Sequence, residues 1–396
     1  MSAASAAAAT RRFVDIGANL LDAQFRGRYG GRSRHAPDLD AVLRRAAAAG
    51  VRAVIVTSAD LRDARAALRL CRRVNASGRH PRCRLFTTVG VHPLSTRQLD
   101  FGAATPAAAA DTADSAAAAA AAAVAPAAMA AAGGAAASAS AGAAGAGSAP
   151  GPPAAPDEED LAATASLPQP RDKAAYVAAL RAVLADGVSD GTVVAVGECG
   201  LDFEASRLAY ASAETQQRHF ALHVDLAEEF SLPLFLHCRD TGGAFLALMR
   251  EYGTRIAAAG GGVVHSYDGP VEEMHALVGL GLHVGVNGCS LRTAANLETA
   301  GAVPAGRLLL ETDAPWCAIK ASGAGFASVR TQWPTVKKPE KHDGGGSCVK
   351  DRTEPCHVVQ VAEVVAAARG ASVEELAESA FASSVALFRL RGLAEE

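Results

Sequence analysis

An eight-stranded α/β barrel is the fold this sequence predicts, and three observations predict it. Eight short β-branched or aliphatic runs recur, at residues 13–16, 53–57, 85–91, 193–197, 232–236, 262–264, 282–286 and 308–311. Runs this continuously apolar mark parallel strands buried on both faces. Amphipathic helical patterns separate them, at 39–49, 61–74, 176–185, 215–230, 241–252 and 271–280. Finally, no G-x-G-x-x-G or G-x-x-x-x-G-K-[ST] follows any of the runs, so nucleotide-binding versions of an open doubly wound sheet lose support. A (β/α)8 barrel accommodates all eight strands without leaving an edge.

Composition bounds the rest. The chain has 396 residues, with Lys+Arg 38 against Asp+Glu 41 and a formal net charge of −3. That balance excludes a histone-like binder whose affinity rests on bulk positive charge, while leaving room for an enzyme that meets phosphates locally. Residues 102–170 are mostly Ala, Gly, Ser and Pro with one acidic patch. Such a tract lacks the apolar surface to offset its ordering entropy, so it is expected to be a disordered insertion in a barrel spanning 13–392. Residues 1–12 read as a flexible tail without the apolar core of a secretory signal, an organelle-targeting peptide being the lesser alternative. Residues 337–351 carry Lys337, Lys338, Lys341, Lys350 and three successive glycines, and read as a surface loop, ordered or mobile. The longest alanine run, 116–123, is too short to span a membrane. Eight cysteines without a C-x-x-C pair suggest reduced thiols in the cytosol or nucleus and no disulfides.

Barrel chemistry sits where strands end at their C-terminal side. In order, those ends carry Asp15 and Asn19, Thr57-Ser58, His92, Glu198, His237, His265, Asn287, and Glu311 with Asp313. One polar residue at one strand end is usually a satisfied structural group; a convergence from five strands is not. Glu198, His237, His265 and Asp313 supply two carboxylates and two imidazoles, a donor set for Zn²⁺, Mn²⁺ or Mg²⁺. A carboxylate bridging two ions would make a hydrolytic two-metal site. Cys199 and Cys238 each follow a proposed ligand, so they should face the other way and pack as small hydrophobes.

These segments resemble the signatures of TatD-type metal-dependent deoxyribonucleases. The resemblance is carried by Gly90-Val91-His92-Pro93, Val196-Gly197-Glu198-Cys199-Gly200-Leu201-Asp202, Leu236-His237-Cys238-Arg239-Asp240 and Glu311-Thr312-Asp313-Ala314-Pro315. Val264-His265-Ser266-Tyr267-Asp268-Gly269, Asn287-Gly288-Cys289-Ser290-Leu291 and Glu354-Pro355-Cys356-His357 are similar to the eukaryotic branch. Together they run over residues 13–388. The resemblance implies hydrolysis of DNA phosphodiester bonds by a metal-activated water, often 3′→5′ on single strands or strand ends, with two divalent ions and no membrane. It makes Glu198 the bridging ligand, gives one ion to His237 and His265, and gives the other to Asp313, which also accepts the proton from water. His92, Arg239 and Asn19 are assigned to substrate. Many relatives open with Asp-x-His-x-His, where this chain has Asp15-Ile16-Gly17-Ala18-Asn19. The loss of both histidines implies a weaker second ion. Another departure is Arg352-Thr353-Glu354-Pro355 in place of Arg-Asn-Glu-Pro.

Other signals have plainer readings. His219 and His223 are four residues apart on a helix outside the barrel, and surface or packing histidines are expected there. Arg26, Arg28, Arg32 and Arg34, and the lysines of 337–350, suit a solvated surface as well as phosphate contact. Trp316 and Trp333 suit packing under a loop better than stacking on a base. Two rival functions follow. The same site could hydrolyse an ester, as in a D-aminoacyl-tRNA deacylase, or the barrel could be a nucleic-acid-binding scaffold that has lost turnover.

Overall fold

The eight apolar runs form eight parallel strands, hydrogen-bonded to one another in chain order. The architecture comes from a computed structural model that describes residues 11–101, 167 and 169–393. Its strands are β1 (Phe13–Ala18), β2 (Val51–Val56), β3 (Arg84–Val89), β4 (Val193–Asp202), β5 (Leu234–Arg239), β6 (Gly262–His265), β7 (His283–Val286) and β8 (Leu308–Leu310). Helices α1 (Leu39–Ala48), α2 (Leu61–Ala76), α3 (Lys173–Ser189), α4 (Ala213–Phe230), α5 (Ala244–Ala259) and α6 (Val271–Gly279) occupy the six amphipathic segments. Three more were not evident from periodicity: α7 (Ala294–Ala302), α8 (Val358–Arg369) and α9 (Val373–Phe388). Asp60, Asp172, Ser212 and Ser372 cap α2, α3, α4 and α9 by accepting from a backbone N–H in the first turn.

Alternation along the strands builds two apolar layers. Inward-facing Val14, Ile16, Ile55, Phe86, Phe235, Val263 and Leu309 fill the barrel, and Phe381 and Phe388 of α9 join that cluster with Leu387. Outward-facing Phe13, Val54, Val196, Leu234 and Val284 pack with the surrounding helices. The first and last strands meet through a few bonds. Asn19 N donates to Ala314 O at 2.6 Å and Asp313 N to Gly17 O at 2.8 Å. The Asp15 carboxylate accepts from Thr312 N at 2.9 Å and Thr312 Oγ1 at 2.6 Å. Asp15 therefore fastens the barrel, below the site itself.

Most of the N-terminal tail and of the alanine-rich insertion lies outside the described residues. Of the tail, Arg11 and Arg12 are described, and they pair with Glu374 and Glu378, each at 2.6 Å. The 337–351 loop is tied at both ends and in its middle. Thr335–Val336 pairs with Cys348–Val349, and buried His342 lies 2.8 Å from Asp38. None of the eight cysteines is in a disulfide. Among the described residues no helix is long and apolar enough to cross a membrane.

Candidate active site

The period-two alternation that puts Phe235, Val263 and Leu309 inside the barrel brings His237, His265 and Glu311 to its mouth, two residues further on. Glu198 reaches the same place through a register shift of β4 against β5 between Gly197 and Cys199. Only glycine suits position 197, where φ is +152° and a Cβ would lie 2.4 Å from Phe235 O. The packing leaves a cavity of about 690 Å³ at the strand ends. Glu198, His237, His265, Asp313, His92, Arg239 and Asn19, all singled out from the sequence, line it.

Three imidazoles surround one carboxylate oxygen. Glu198 Oε1 lies 2.8 Å from His237 Nδ1, 2.7 Å from His265 Nε2 and 3.4 Å from His92 Nε2. The facing ring nitrogens of His237 and His265 are 3.2 Å apart. Each of those two rings has a second carboxylate behind it. Asp202 Oδ2 is 3.3 Å from His237 Nε2, and Glu311 Oε2 is 3.5 Å from His265 Nδ1. Carboxylates in that position orient a ligating histidine and fix its tautomer. Asp202 and Glu311 went without a role in the sequence, although one ends the Gly200-Leu201-Asp202 segment and the other is a strand end that opens Glu311-Thr312-Asp313.

Burial opposes ionisation of Glu198, yet His265 and His92, with hydrogen bonds from His237 and His265, hold its carboxyl well below the usual range. Burial likewise disfavours charge on His265 and His237. Glu198 and Glu311 nonetheless raise His265 well above its ordinary value, and Asp202 and Glu198 raise His237. Across the cavity Asp313 is pushed up to about 6 by burial and by the charges of Glu311 and Glu198, with His265 opposing. Its Oδ1 accepts from Asn19 Nδ2 at 2.8 Å, while Asn19 Oδ1 accepts from Thr57 Oγ1 at 2.9 Å. Both ends of the Asn19 amide are therefore committed within the protein.

Ligand atoms of His92, Glu198 and His237 all lie within 4.8 Å of one another. Nitrogen and oxygen donors converging on one charged oxygen at a cavity wall fit a divalent cation of the Zn²⁺, Mn²⁺ or Mg²⁺ kind. Two other groups of possible ligands fit one less well. In His35, Asp38 and His342, both Asp38 oxygens already receive Arg352 at 2.8 and 2.6 Å. In Cys348, Cys356 and His357, the His357 Nδ1 already accepts from Glu354 N at 2.9 Å.

The remaining candidates divide. Arg26, Arg28 and Trp316 line the cavity; Arg32, Arg34 and the four loop lysines are exposed and do not. Trp333 packs edge-on against His357, ring centroids 4.9 Å apart. His219 and His223 are buried packing residues: His219 Nε2 sits 2.7 Å from Asp100 Oδ1, and His223 Nε2 accepts from Val91 N at 3.0 Å. Cys199 donates to Phe235 O at 3.8 Å inside the packing, whereas Cys238 borders the cavity and lies 3.7 Å from Thr241 Oγ1.

The sequence profile described as TatD related DNase matches residues 14–389. The chain is 32% identical over 376 residues to the deoxyribonuclease Tat-D of Schizosaccharomyces pombe, covering 95% of each. It is 35% identical over 201 residues to the 3′-5′ ssDNA/RNA exonuclease TatD of Pantoea vagans, covering 50% of this chain and 66% of that protein. Among solved structures, a TatD family hydrolase from Entamoeba histolytica superposes with a TM-score of 0.69 at 26% identity, over 96% of this chain and 98% of the other.

Proposed function

The chain belongs to the TatD related DNase family of metal-dependent hydrolases, and from that premise we propose that it cleaves DNA phosphodiester bonds, acting 3′→5′ on single-stranded ends. The observation that carries this reading is the convergence of His92, His237 and His265 on one oxygen of Glu198, with Asp313 in the same cavity. Two divalent ions are part of the proposal. Glu198, His237 and His265 would hold one; Asp313, with Glu198, would hold the other more weakly, because positions 17 and 19 supply no imidazole. Cations held there supply Lewis acidity, which acidifies water and offsets charge on the phosphate.

The protein's own groups do the rest. Glu198 contributes the fixed negative charge against which the imidazoles are arranged. Asp202 and Glu311 keep the His237 and His265 rings in place. The Asp313 carboxylate takes the proton of the attacking water, and Asn19 holds that carboxylate in place by donating to Oδ1. Arg239 grips the phosphate as a planar cationic donor, and His92 polarises it. A handful of cationic groups lining a cavity suffices, which reconciles work on DNA with a net charge of −3. Eight cysteines without a C-x-x-C pair suit a reducing, nuclear or cytosolic setting.

The test is the full chain stripped of metal and titrated with Mg²⁺, Mn²⁺ and Zn²⁺ against oligonucleotides labelled at either end. Cation-dependent shortening from the 3′ end is expected. Cleavage that persists in excess chelator, or ester hydrolysis of D-aminoacyl-tRNA with oligonucleotides left intact, would contradict the proposal.

A further inference from the structure

Beside Asp313 the cavity wall holds two thiols that the proposed reaction does not use. Cys317 Sγ donates to Asp313 Oδ2 at 3.3 Å, and Cys289 Sγ lies 2.8 Å from Arg292 Nη2. Both sulfur-bearing residues line the cavity. They come together because the segments after β7 and β8 are pressed into contact: a Cβ on Gly288 would lie 1.9 Å from Cys317 O. On the opposite side of Asp313, positions 17 and 19 offer no imidazole. Gly17 has no side chain, and its would-be Cβ position is 2.6 Å from Glu311 Oε2. Asn19 spends its amide nitrogen on Asp313 Oδ1 and its oxygen on Thr57.

We propose that Cys317 is a ligand of the second cation, supplying with Asp313 a thiolate–carboxylate pair where the family's usual imidazoles are missing. The inference rests on the reading that the barrel mouth binds divalent ions. Its geometric basis is the separation of the two donor atoms. Ligand distances of about 2.3 Å for sulfur and about 2.0 Å for oxygen around a tetrahedral Zn²⁺ place those donors roughly 3.5 Å apart. Cys317 Sγ and Asp313 Oδ2 stand at 3.3 Å, so little movement is needed for them to share an ion. The Asp313 oxygen involved is the one that Asn19 leaves free.

Cys289 is the poorer donor of the two. A guanidinium already sits against its sulfur, and a second cation at that atom would face the charge of Arg292. Cys317 ligates as the thiolate, its proton passing to solvent when the ion loads. The chemical consequence is selectivity. A thiolate at this position favours Zn²⁺, Co²⁺ or Cd²⁺ over Mg²⁺, whereas the Glu198–imidazole position accepts any of them.

Co²⁺ makes the proposal visible, since a thiolate bound to it absorbs in the near ultraviolet by charge transfer. The metal-stripped full chain, titrated with Co²⁺, should develop that band, and Cys317→Ser and Cys317→Ala should lack it. Cys356→Ser should keep it, because Cys356 belongs to the group away from the mouth. Bound Co²⁺ without the band, or a band that survives Cys317→Ser, would overturn ligation by Cys317 and leave the nuclease reading standing. No Co²⁺ uptake would overturn both. A measurement on the unmodified chain guards against misfolded variants: alkylation of Cys317 by iodoacetamide, followed by peptide mass spectrometry. Zn²⁺ should slow it several-fold and Mg²⁺ should not; an unchanged rate with Zn²⁺ would overturn the proposal.

Discussion

Replacing Gly17 with alanine would put a Cβ 2.6 Å from Glu311 Oε2 and 3.2 Å from Phe235 Cζ. Gly17 is not one of the left-handed glycines, so the objection to a side chain there is one of space. The end of a glutamate usually swings aside at little cost, but Glu311 is fully buried and has few places to go. Its Oε1 accepts from Ser266 N and, at 3.2 Å, from Asn287 Nδ2, and its Oε2 faces His265 Nδ1. Overpacking a buried site costs about 1–3 kcal/mol, and loosening a hydrogen bond to a charged group about 1.5–3 kcal/mol. Gly17→Ala should thus lose about 2–4 kcal/mol, the two effects overlapping in part. The assay is urea unfolding followed by far-ultraviolet circular dichroism, for wild type, Gly17→Ala, Glu311→Asp and the double variant. Shortening Glu311 withdraws the clashing oxygen, so Gly17→Ala should cost at least about 1 kcal/mol less in the Glu311→Asp background. A loss below about 0.5 kcal/mol, or an equal loss in both backgrounds, would refute the steric reasoning.

Further outcomes follow from other parts of the molecule. Arg352→Ala should destabilise the fold by about 3–5 kcal/mol in urea unfolding, since it takes from buried Asp38 the cation that bonds both its oxygens; a loss under about 1 kcal/mol would show that Arg45 suffices. His223 is depressed to about 4 by burial, with neighbouring His219 adding to the effect and backbone bonds opposing it. Between pH 6.5 and about 4 the unfolded chain binds the extra proton, so this residue's contribution is present above 6.5 and fades as pH falls, by about 3 kcal/mol in all. His223→Gln should flatten that part of the stability–pH curve, and an unchanged slope would be evidence against it. Replacing residues 102–170 with a short Gly/Ser linker should leave melting temperature and oligonucleotide cleavage nearly unchanged, because loop closure depends weakly on length; loss of folding would show that the tract packs on the barrel.

The strands were legible because burial on both faces writes them as unbroken apolar runs, and the four proposed ligands because each follows such a run. Helix α7, Ala294–Ala302, left little trace, being rich in alanine and glycine, with only Thr299 and Ala300 buried. Asp202 and Glu311 lie in motifs, yet their role depends on which ring nitrogen each faces, and spacing along the chain does not encode that. Long-range pairing was hidden altogether. Arg352 and Asp38 are 314 residues apart in sequence and joined at 2.6 Å, so the arginine of the 352–355 motif proves to be a fastening between the N-terminal and C-terminal loops. Nothing in the structure explains Thr353 itself; its hydroxyl has no hydrogen-bond partner among the described residues. Cys317 was read as one thiol among eight, and only the fold brings its sulfur to Asp313.

Glu198→Gln tests most directly whether the charge on Glu198 sustains hydrolysis. The substitution keeps the side chain's shape and one oxygen while removing the charge on which three imidazoles converge. The measurement is cleavage of a labelled oligonucleotide at saturating Mn²⁺ or Mg²⁺, with an unfolding curve on the same preparation. Cleavage should fall to the level of a metal-free control, with stability within about 1–2 kcal/mol of wild type. Near wild-type cleavage by a well-folded Glu198→Gln protein would contradict the assignment of the site.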